Sequence, residues 1–395
     1  MIKNLIRLCP ICSNGKGQVI HNQAFVTMKG SPLPENYDLV NCTSCGFVFA
    51  DTSASQEDYN TYYALLSKYE DKDISSGSGI NQNDYNRLYR NAEVIEQFTK
   101  KDDFILDLGC ANGGLLKILK ERGFSNLTGV DPSKTCVNNV LASGLDAFQA
   151  HIFEQSFIDW DKKFDFIILS HVIEHIKDLD VAIQIVKNKL SEKGILYIEV
   201  PDASRYDKFF VIPYYFIDCE HINHFSKYSL DNLLSTKGLK NIHDAQNQIK
   251  LNDKIDYPIF YSLYSVNNEK PNKIEFDNIV LNSFKNFIAQ SIDRDKSTNV
   301  IKQLVSSQEE VIIWGAGQYT LRLLATSDLL KANITAIVDS DKSKQNKKIG
   351  NINVYAPDFI KNKNSVLLIC SALYANDIKD MAMQLNKNLK YFILN

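Results

Sequence analysis

One turn narrows what this chain can fold into more than any other stretch: Asp107-Leu108-Gly109-Cys110-Ala111-Asn112-Gly113. The apolar run Phe104-Ile105-Leu106 precedes it and Leu115-Leu116-Lys117-Ile118-Leu119 follows, so an acidic, glycine-bearing turn joins a buried strand to a helix. Glycines at 109 and 113 let the backbone come close to a ligand, and Asp107 stands where a positively charged group can be met. A second acidic turn, Gly129-Val130-Asp131-Pro132-Ser133, closes what reads as the next strand, Leu127 to Val130. A carboxylate there can hydrogen-bond both hydroxyls of an adenosine ribose. Glycine-rich turns also serve tight packing without a ligand, but two acidic turns in this order point to a nucleotide-type ligand.

A chain of 395 residues exceeds one ordinary core and suggests two or three domains. A formal charge of -3, with 23% charged residues, leaves no broad basic field. The expected partner is therefore a small molecule and not nucleic acid. No apolar run reaches the roughly 18 residues that span a bilayer, and Met1-Ile2-Lys3-Asn4-Leu5 lacks a signal-peptide core. No membrane insertion and a cytoplasmic location are expected.

The eight cysteines are unevenly spread. Cys9-Pro10-Ile11-Cys12 and Cys42-Thr43-Ser44-Cys45-Gly46 form two C-x-x-C knuckles, each able to turn two thiolates toward one tetrahedral ion. Four sulfur ligands and no open position describe a structural zinc site; the alternative is a pair of redox dithiols. His21, between the knuckles, reads as a surface residue. Phe47-Val48-Phe49-Ala50 reads as a strand closing a zinc ribbon.

Tyr59, Tyr62, Tyr63 and Tyr69 mark an aromatic, helix-like segment. From Asp71 to Asn83, a stretch containing Ser75-Ser76-Gly77-Ser78-Gly79 shows no hydrophobic period and reads as a linker, with a lid over the ligand as the alternative. Leu88, Ala92, Ile95 and Phe98 repeat at helical spacing, and strand and helix patterns then alternate up to Glu199, as in a doubly wound parallel sheet. Asn241 to Ile249 and Ile259 to Val266 read as a terminal antiparallel pair. Polar residues from Asn267 to Lys273 mark a boundary, and Phe276, Ile279, Val280, Phe284, Phe287 and Ile288 share one face of a connecting helix. A new α/β pattern follows: Val311-Ile312-Ile313-Trp314, Gly315-Ala316-Gly317, a helix with Leu321, Leu323 and Leu324, then Thr335-Ala336-Ile337-Val338-Asp339 and a strand from Val366 to Cys370. The third glycine of the dinucleotide fingerprint is missing, so a degenerate Rossmann-like domain without NAD is expected. The domains are expected at 1–70, 84–267 and 274–395.

From about residue 84 to 267 the chain resembles the class I, Rossmann-like S-adenosylmethionine-dependent methyltransferases. Asp107 to Gly113 is similar to that class's first motif and Gly129-Val130-Asp131 to its second. Phe164 to Leu169 resembles the fourth strand, His171-Val172-Ile173-Glu174-His175-Ile176 the segment after it, and Gly194 to Pro201 the fifth strand. The resemblance implies that Asp107 and Gly109 lie by the methionine part of the cofactor. It further implies that Ala111, Asn112 and Gly113 form the turn, that Asp131 with Pro132 meets the ribose, and that Ile152 and Phe153 cover adenine. His171, directly after the fourth strand, is expected near the methyl group or the cofactor.

The order of zinc knuckles, methyltransferase core and small Rossmann-like domain resembles the three-domain sugar methyltransferases, which include C-methyltransferases of nucleotide-linked deoxyketosugars. The resemblance implies a nucleotide-linked sugar as substrate, its nucleotide held by the C-terminal domain, in bacterial surface polysaccharide precursor synthesis. The family's Gly-Ala-x-x-Lys-Gly-x-Thr run reads here as Gly315-Ala316-Gly317-Gln318-Tyr319-Thr320, without the lysine. The C-methylating members carry Tyr-x-Glu-His after the fifth strand. Here Glu220 and His221 match and Asp218 replaces the tyrosine, which favours a hydroxyl acceptor needing only a base. His221 is the first candidate base, oriented by Glu220, followed by His171 or His175 and by His224. The readings carried forward are O-methylation of a nucleotide-linked sugar, C-methylation of a ketosugar, and a non-catalytic zinc and nucleotide-sugar binding protein.

Overall fold

The computed structural model describes residues 1–66, 77–267 and 273–394. Tyr69, Ser75, Ser76 and most of the polar boundary before Lys273 lie outside them.

The N-terminal sheet is antiparallel throughout. It comprises β1 (Ile2–Asn4), β2 (Lys16–Ala24), β3 (Asn36–Cys42) and β4 (Val48–Asp51) in sequence order. Helix α1 (Gln56–Leu66) leads away from it. Helix α2 (Gln82–Phe98) begins at Asn81, whose side chain accepts from Asp84 N, and buries Leu88, Ala92 and Ile95, the positions of the apolar stripe.

The central sheet is built from β5 (Phe104–Leu108), α3 (Gly114–Glu121), β6 (Asn126–Asp131), α4 (Lys134–Ala142), β7 (Asp146–Gln149), the single turn α5 (Gln155–Ile158), β8 (Phe164–Ser170), α6 (Leu179–Lys189) and β9 (Leu190–Pro201). These five strands are parallel. In β8, Phe164, Phe166, Ile167, Ile168 and Leu169 are all fully buried, as expected for a strand covered by helices on both faces. A two-residue strand, β10 (Asn223–His224), and helix α7 (Lys227–Ser235) precede the antiparallel strands β11 (Leu239–Lys250) and β12 (Asp256–Val266), which complete the edge. The strand order is β11-β12-β9-β8-β5-β6-β7. The chain runs outward from β5 in one direction and resumes at β8 on its other side, so a topological switch point lies between β5 and β8.

Strand β10 does not join the central sheet. It pairs with β4, Asn223 opposite Phe49 and His224 opposite Val48, and forms the fifth strand of the N-terminal sheet. Two consecutive helices, α8 (Ile279–Arg294) and α9 (Ser297–Ser307), connect to the last unit; α8 buries Val280, Phe284 and Phe287.

The C-terminal unit holds β13 (Val311–Trp314), α10 (Gln318–Thr326), β14 (Ile334–Val338), β15 (Lys348–Ile349), β16 (Ile352–Tyr355), β17 (Val366–Cys370), α11 (Ala375–Leu385) and β18 (Tyr391–Leu394), in the order β15-β16-β14-β13-β17-β18. Thr320 stands at the third position of the glycine fingerprint, fully buried, with its hydroxyl donated to Gly315 O. The acid that follows β14, Asp339, accepts from Ala316 N at 2.6 Å and ties that turn shut. Residues 26–29 run along this unit: Val26 N donates to Leu321 O, and Lys29 N to Lys348 O.

Candidate active site

The glycine turn opens at the carboxyl end of β5, where a doubly wound sheet takes its ligands. Gly109, Ala111 and Gly113 have φ of 78°, 45° and 72°. A Cβ on Gly109 would lie 2.7 Å from Val172 Cγ2, so a side chain at 109 would push away the segment after β8. Asp131 Oδ2 accepts from Ala111 N at 2.9 Å and Oδ1 from Ser133 N at 2.8 Å, which binds the two acidic turns into one cradle. Asn112 is buried and accepts from Asn139 Nδ2, and Pro132 O accepts from Gln149 Nε2. Ile152 is buried and Phe153 half-buried just past β7. Asp107 is buried; desolvation, with the nearby Asp131 charge, pushes its carboxyl up to about 7 against the pull of Arg87. A cation would restore its charge, so the residues fit a ligand with an ammonium group.

The described part of the glycine-serine stretch is not a free connector. Gly77 N and Gly79 N both donate to Asp84 Oδ2, and Gly77 O accepts from Gly114 N, which seats this segment on the cradle.

Behind the cradle a fully buried carboxylate, Glu199, gathers Asn91 Nδ2 at 2.9 Å, Ser170 Oγ at 2.9 Å, Tyr197 Oη at 3.3 Å and Arg87 Nη1 at 3.4 Å. Burial opposes its charge, but His171, Arg87, Asn91 and Arg90 outweigh it and hold the carboxyl below its usual range. His171 follows β8 with φ of 57°. Its Nδ1 lies 3.2 Å from Glu174 Oε1 and its Nε2 3.6 Å from Glu199 Oε1, so the ring sits between two buried acids.

The turn after His171 brings Glu174 and His175 against His221. The rings of His175 and His221 meet edge to face at 4.8 Å, and Glu174 Oε1 is 3.9 Å from His175 Nε2. Burial opposes ionisation of Glu174, yet the His171 hydrogen bond and the three histidine charges bring it down to about 2. His175 Nδ1 contacts Tyr63 Oη at 2.8 Å and Glu220 O at 3.1 Å.

Two sequence expectations need correction. Glu220, expected to orient His221, turns its carboxylate to Tyr62 Oη at 3.1 Å and Gln318 Nε2 at 3.2 Å, from both of which it accepts. The acid beside His221 is Asp218, whose Oδ1 accepts from the backbone N–H of both Glu220 and His221 and whose Oδ2 lies 3.8 Å from His221 Nδ1. His224 is no candidate base either. On β10 it is fully buried between Phe284 and Tyr206, neither ring nitrogen has a hydrogen-bond partner among the described residues, and burial lowers its pKa to about 3.

Sequence reasoning passed over the groups that frame this cluster. Tyr62 and Tyr63 come from α1, Gln318 from the start of α10, and Arg7 from the bend between β1 and β2. Arg7, buried, donates to Lys177 O, to Asn223 Oδ1 at 2.9 Å, and at 3.4 Å to Ile176 O and Ile222 O. A lone arginine two residues before a cysteine knuckle carries no such signal.

The four N-terminal cysteines converge. Cys9 and Cys45 sulfurs lie 3.5 Å apart, as do those of Cys12 and Cys42, and none is in a disulfide. All four lie within 4.8 Å of one another, and Ser44 N and Asn14 Nδ2 point at Cys42 Sγ at 3.4 and 3.5 Å. The donor set suits an ion held at about 2.3 Å by four thiolates. His21 stacks on Tyr214 and is not in the group.

Residues 83–244 match the family model described as a methyltransferase domain. The central unit is a class I methyltransferase domain. Next to this methyltransferase domain, residues 307–391 match the model described as C2185-like, N-terminal. Among curated proteins the chain is similar to a probable (S)-tetrahydroprotoberberine N-methyltransferase 2 of Papaver bracteatum, 27% identical over 28% of this chain and 32% of that protein. It is also similar to a ubiquinone biosynthesis O-methyltransferase of Chelativorans sp. (strain BNC1), 30% identical over 24% of this chain and 38% of that one. The chain thus spans about a third of the length of the curated relatives it matches. Among solved structures, magnesium protoporphyrin IX methyltransferase from Synechocystis PCC 6803 matches with a TM-score of 0.39 and 10% identity, over 54% of this chain and 99% of that one. N-methyltransferase NodS from Bradyrhizobium japonicum WM9 matches with a TM-score of 0.37 and 14% identity, over 54% and 98%.

Proposed function

We propose that the protein transfers a methyl group from S-adenosylmethionine to a hydroxyl of a nucleotide-linked sugar, in the cytoplasm, during synthesis of bacterial surface polysaccharide precursors. The single observation that carries the reading is the meeting, at one switch point, of the Asp107 cradle with the Glu174, His175 and His221 cluster. The cofactor supplies an activated methyl on a sulfonium. Asp107 meets its amino group, Asp131 its ribose, and Ile152 and Phe153 its adenine. The cluster drives loss of the acceptor's proton, while Tyr62 and Gln318, from the two flanking units, fix Glu220 at the rim of the acceptor space. The cysteine group would hold a structural zinc ion, and metal analysis of the pure protein is expected to find one equivalent per chain. No helix among the described residues is long and apolar enough to cross a membrane.

Incubation with isotopically labelled cofactor and a panel of nucleotide sugars, followed by mass spectrometry and NMR, tests the proposal. Label on an oxygen of the sugar is the expected result; a protein that binds the cofactor and labels no nucleotide sugar would overturn the substrate class. A second reading, carbon methylation of a nucleotide-linked ketosugar, draws on Tyr63, whose phenol beside His175 supplies in space the hydroxyl that Asp218 lacks in sequence. A methyl carbon bonded to a ring carbon would establish it.

A further inference from the structure

Among the described residues, two groups of side chains gather enough ligand atoms within 4.8 Å to hold a metal ion. One is the cysteine group; the other is Glu174, His175 and His221. We propose that this second group is an open metal site that takes a divalent transition ion, of the Zn2+ or Mn2+ class, and presents the acceptor hydroxyl to the methyl group. The acceptor role rests on the function proposed above; the metal site does not.

The chemistry of each ligand points the same way. Glu174 is buried, and its Oε2 has no hydrogen-bond partner among the described residues, an arrangement that is costly unless a cation completes it. His175 Nδ1 faces Glu220 O, which can only accept, and Tyr63 Oη, which can accept as well as donate, so a proton on Nδ1 serves both neighbours. In the neutral ring the lone pair then belongs to Nε2, the nitrogen on the Glu174 side. An imidazole steered through its other nitrogen by a backbone carbonyl is the usual outer support of a metal-bound histidine. Asp218 Oδ2 stands 3.8 Å from Nδ1 of His221, an ion-pair distance that favours a proton on that nitrogen.

The spacing suits an ion. Ligand atoms held tetrahedrally at about 2.0–2.2 Å lie about 3.3–3.6 Å apart, so a group within 4.8 Å closes by up to about an ångström through side-chain rotation. Two imidazoles and a carboxylate suit Zn2+, Mn2+, Fe2+ or Co2+, whereas the thiolate group is soft and complete. Three ligands leave positions for a substrate oxygen, while four cysteines leave none. An alcohol bound at the open position releases its proton to water; its oxygen forms the O–C bond as the C–S bond of the sulfonium breaks, and that bond's electron pair stays on sulfur.

The test uses the full chain with its cysteine-bound ion in place. In a Mn2+ titration read by electron paramagnetic resonance, one ion per chain is expected to bind and to be displaced by Zn2+. Glu174→Gln and His221→Gln should each weaken Mn2+ binding by about tenfold or more while leaving the melting temperature near the wild-type value. A measurement without variants guards against misfolding: Zn2+ should shift the ring nitrogen signals of His175 and His221 in the wild-type protein. No uptake beyond the cysteine-bound equivalent at millimolar ion, or ring signals that do not move, would overturn the site. Methyl transfer that persists undiminished after chelation and in Glu174→Gln would overturn the ion's part in presenting the acceptor, leaving the proposed function standing. Ion uptake at these residues in a protein that methylates no nucleotide sugar would uphold the metal site and remove only the acceptor's role.

Discussion

Asp107 is held in the folded protein at a cost that its ligand relieves. Its carboxyl titrates near 7, above the ordinary value of 3.8, so the folded state keeps a proton that the unfolded chain has released. Its contribution to stability therefore falls as pH rises from about 4 through 7. Cofactor binding follows the opposite sign, because the ammonium group requires the ionised carboxylate. Calorimetry should show affinity rising by up to about tenfold per pH unit below 7 and levelling off above it. Asp107→Asn should melt higher than wild type at pH 8 without ligand, by about 2–4 °C per kcal/mol gained, and lose cofactor binding. The two histidines three residues apart separate just as sharply. His221→Ala should lower turnover by about 10² or more, whereas His224→Phe, which replaces two buried nitrogens unpartnered among the described residues with carbon, should keep turnover and melting within experimental error of wild type. Local chemistry made Asp107, Asp131 and the glycines legible, because turn and ligand are built from one short segment. The partner of His221 was not legible: residues side by side in a loop point apart, and Asp218, three back, reaches His221 by capping the turn with its own carboxylate.

At the level of elements, the alternation of apolar strands and amphipathic helices that ends at Glu199 could be read directly, since burial on one stripe or on both faces leaves a periodic trace. What locks those elements together leaves none. Glu199 on β9 is met by Arg87 and Asn91, one turn apart on α2, and by Ser170 at the end of β8. Glu199→Gln would leave the Arg87 guanidinium with Asp84 as its carboxylate partner and should cost about 1.5–3 kcal/mol in urea unfolding, with the central sheet losing hydrogen-exchange protection at the α2 face first. Glycine and serine content suggested a linker before α2, yet Gly77 and Gly79 serve there because their backbone N–H groups converge on Asp84. Composition reports the freedom of a segment in the unfolded chain and says little about what it docks against.

At the level of the whole molecule, the order of the parts was legible and their mutual contacts were not, because those contacts rest on single residues far apart in the chain. Arg7 and Asn223 are separated by 216 positions, and Gln318 reaches Glu220 across 98. Arg7 joins the cysteine-bearing sheet to the backbone on both sides of the histidine cluster. Arg7→Met is therefore expected to lower turnover by about tenfold through misplacement of His175 and His221, while the calorimetric affinity for cofactor, set at the Asp107 cradle, changes less than about twofold. A loss of both together would mean that Arg7 supports the fold at large and not the acceptor side in particular.

The pairing of Asn223 and His224 with β4 also sets a timetable. During synthesis the N-terminal strands leave the ribosome with one edge open, and the segment that closes it is made more than 170 residues after Asp51. At about 5–20 residues per second that edge waits roughly 10–30 s for its partner. A nascent chain halted before residue 223 should carry an exposed strand ready to pair with another copy, so a metal bound early by the cysteines would protect the newborn protein before there is any active site to support.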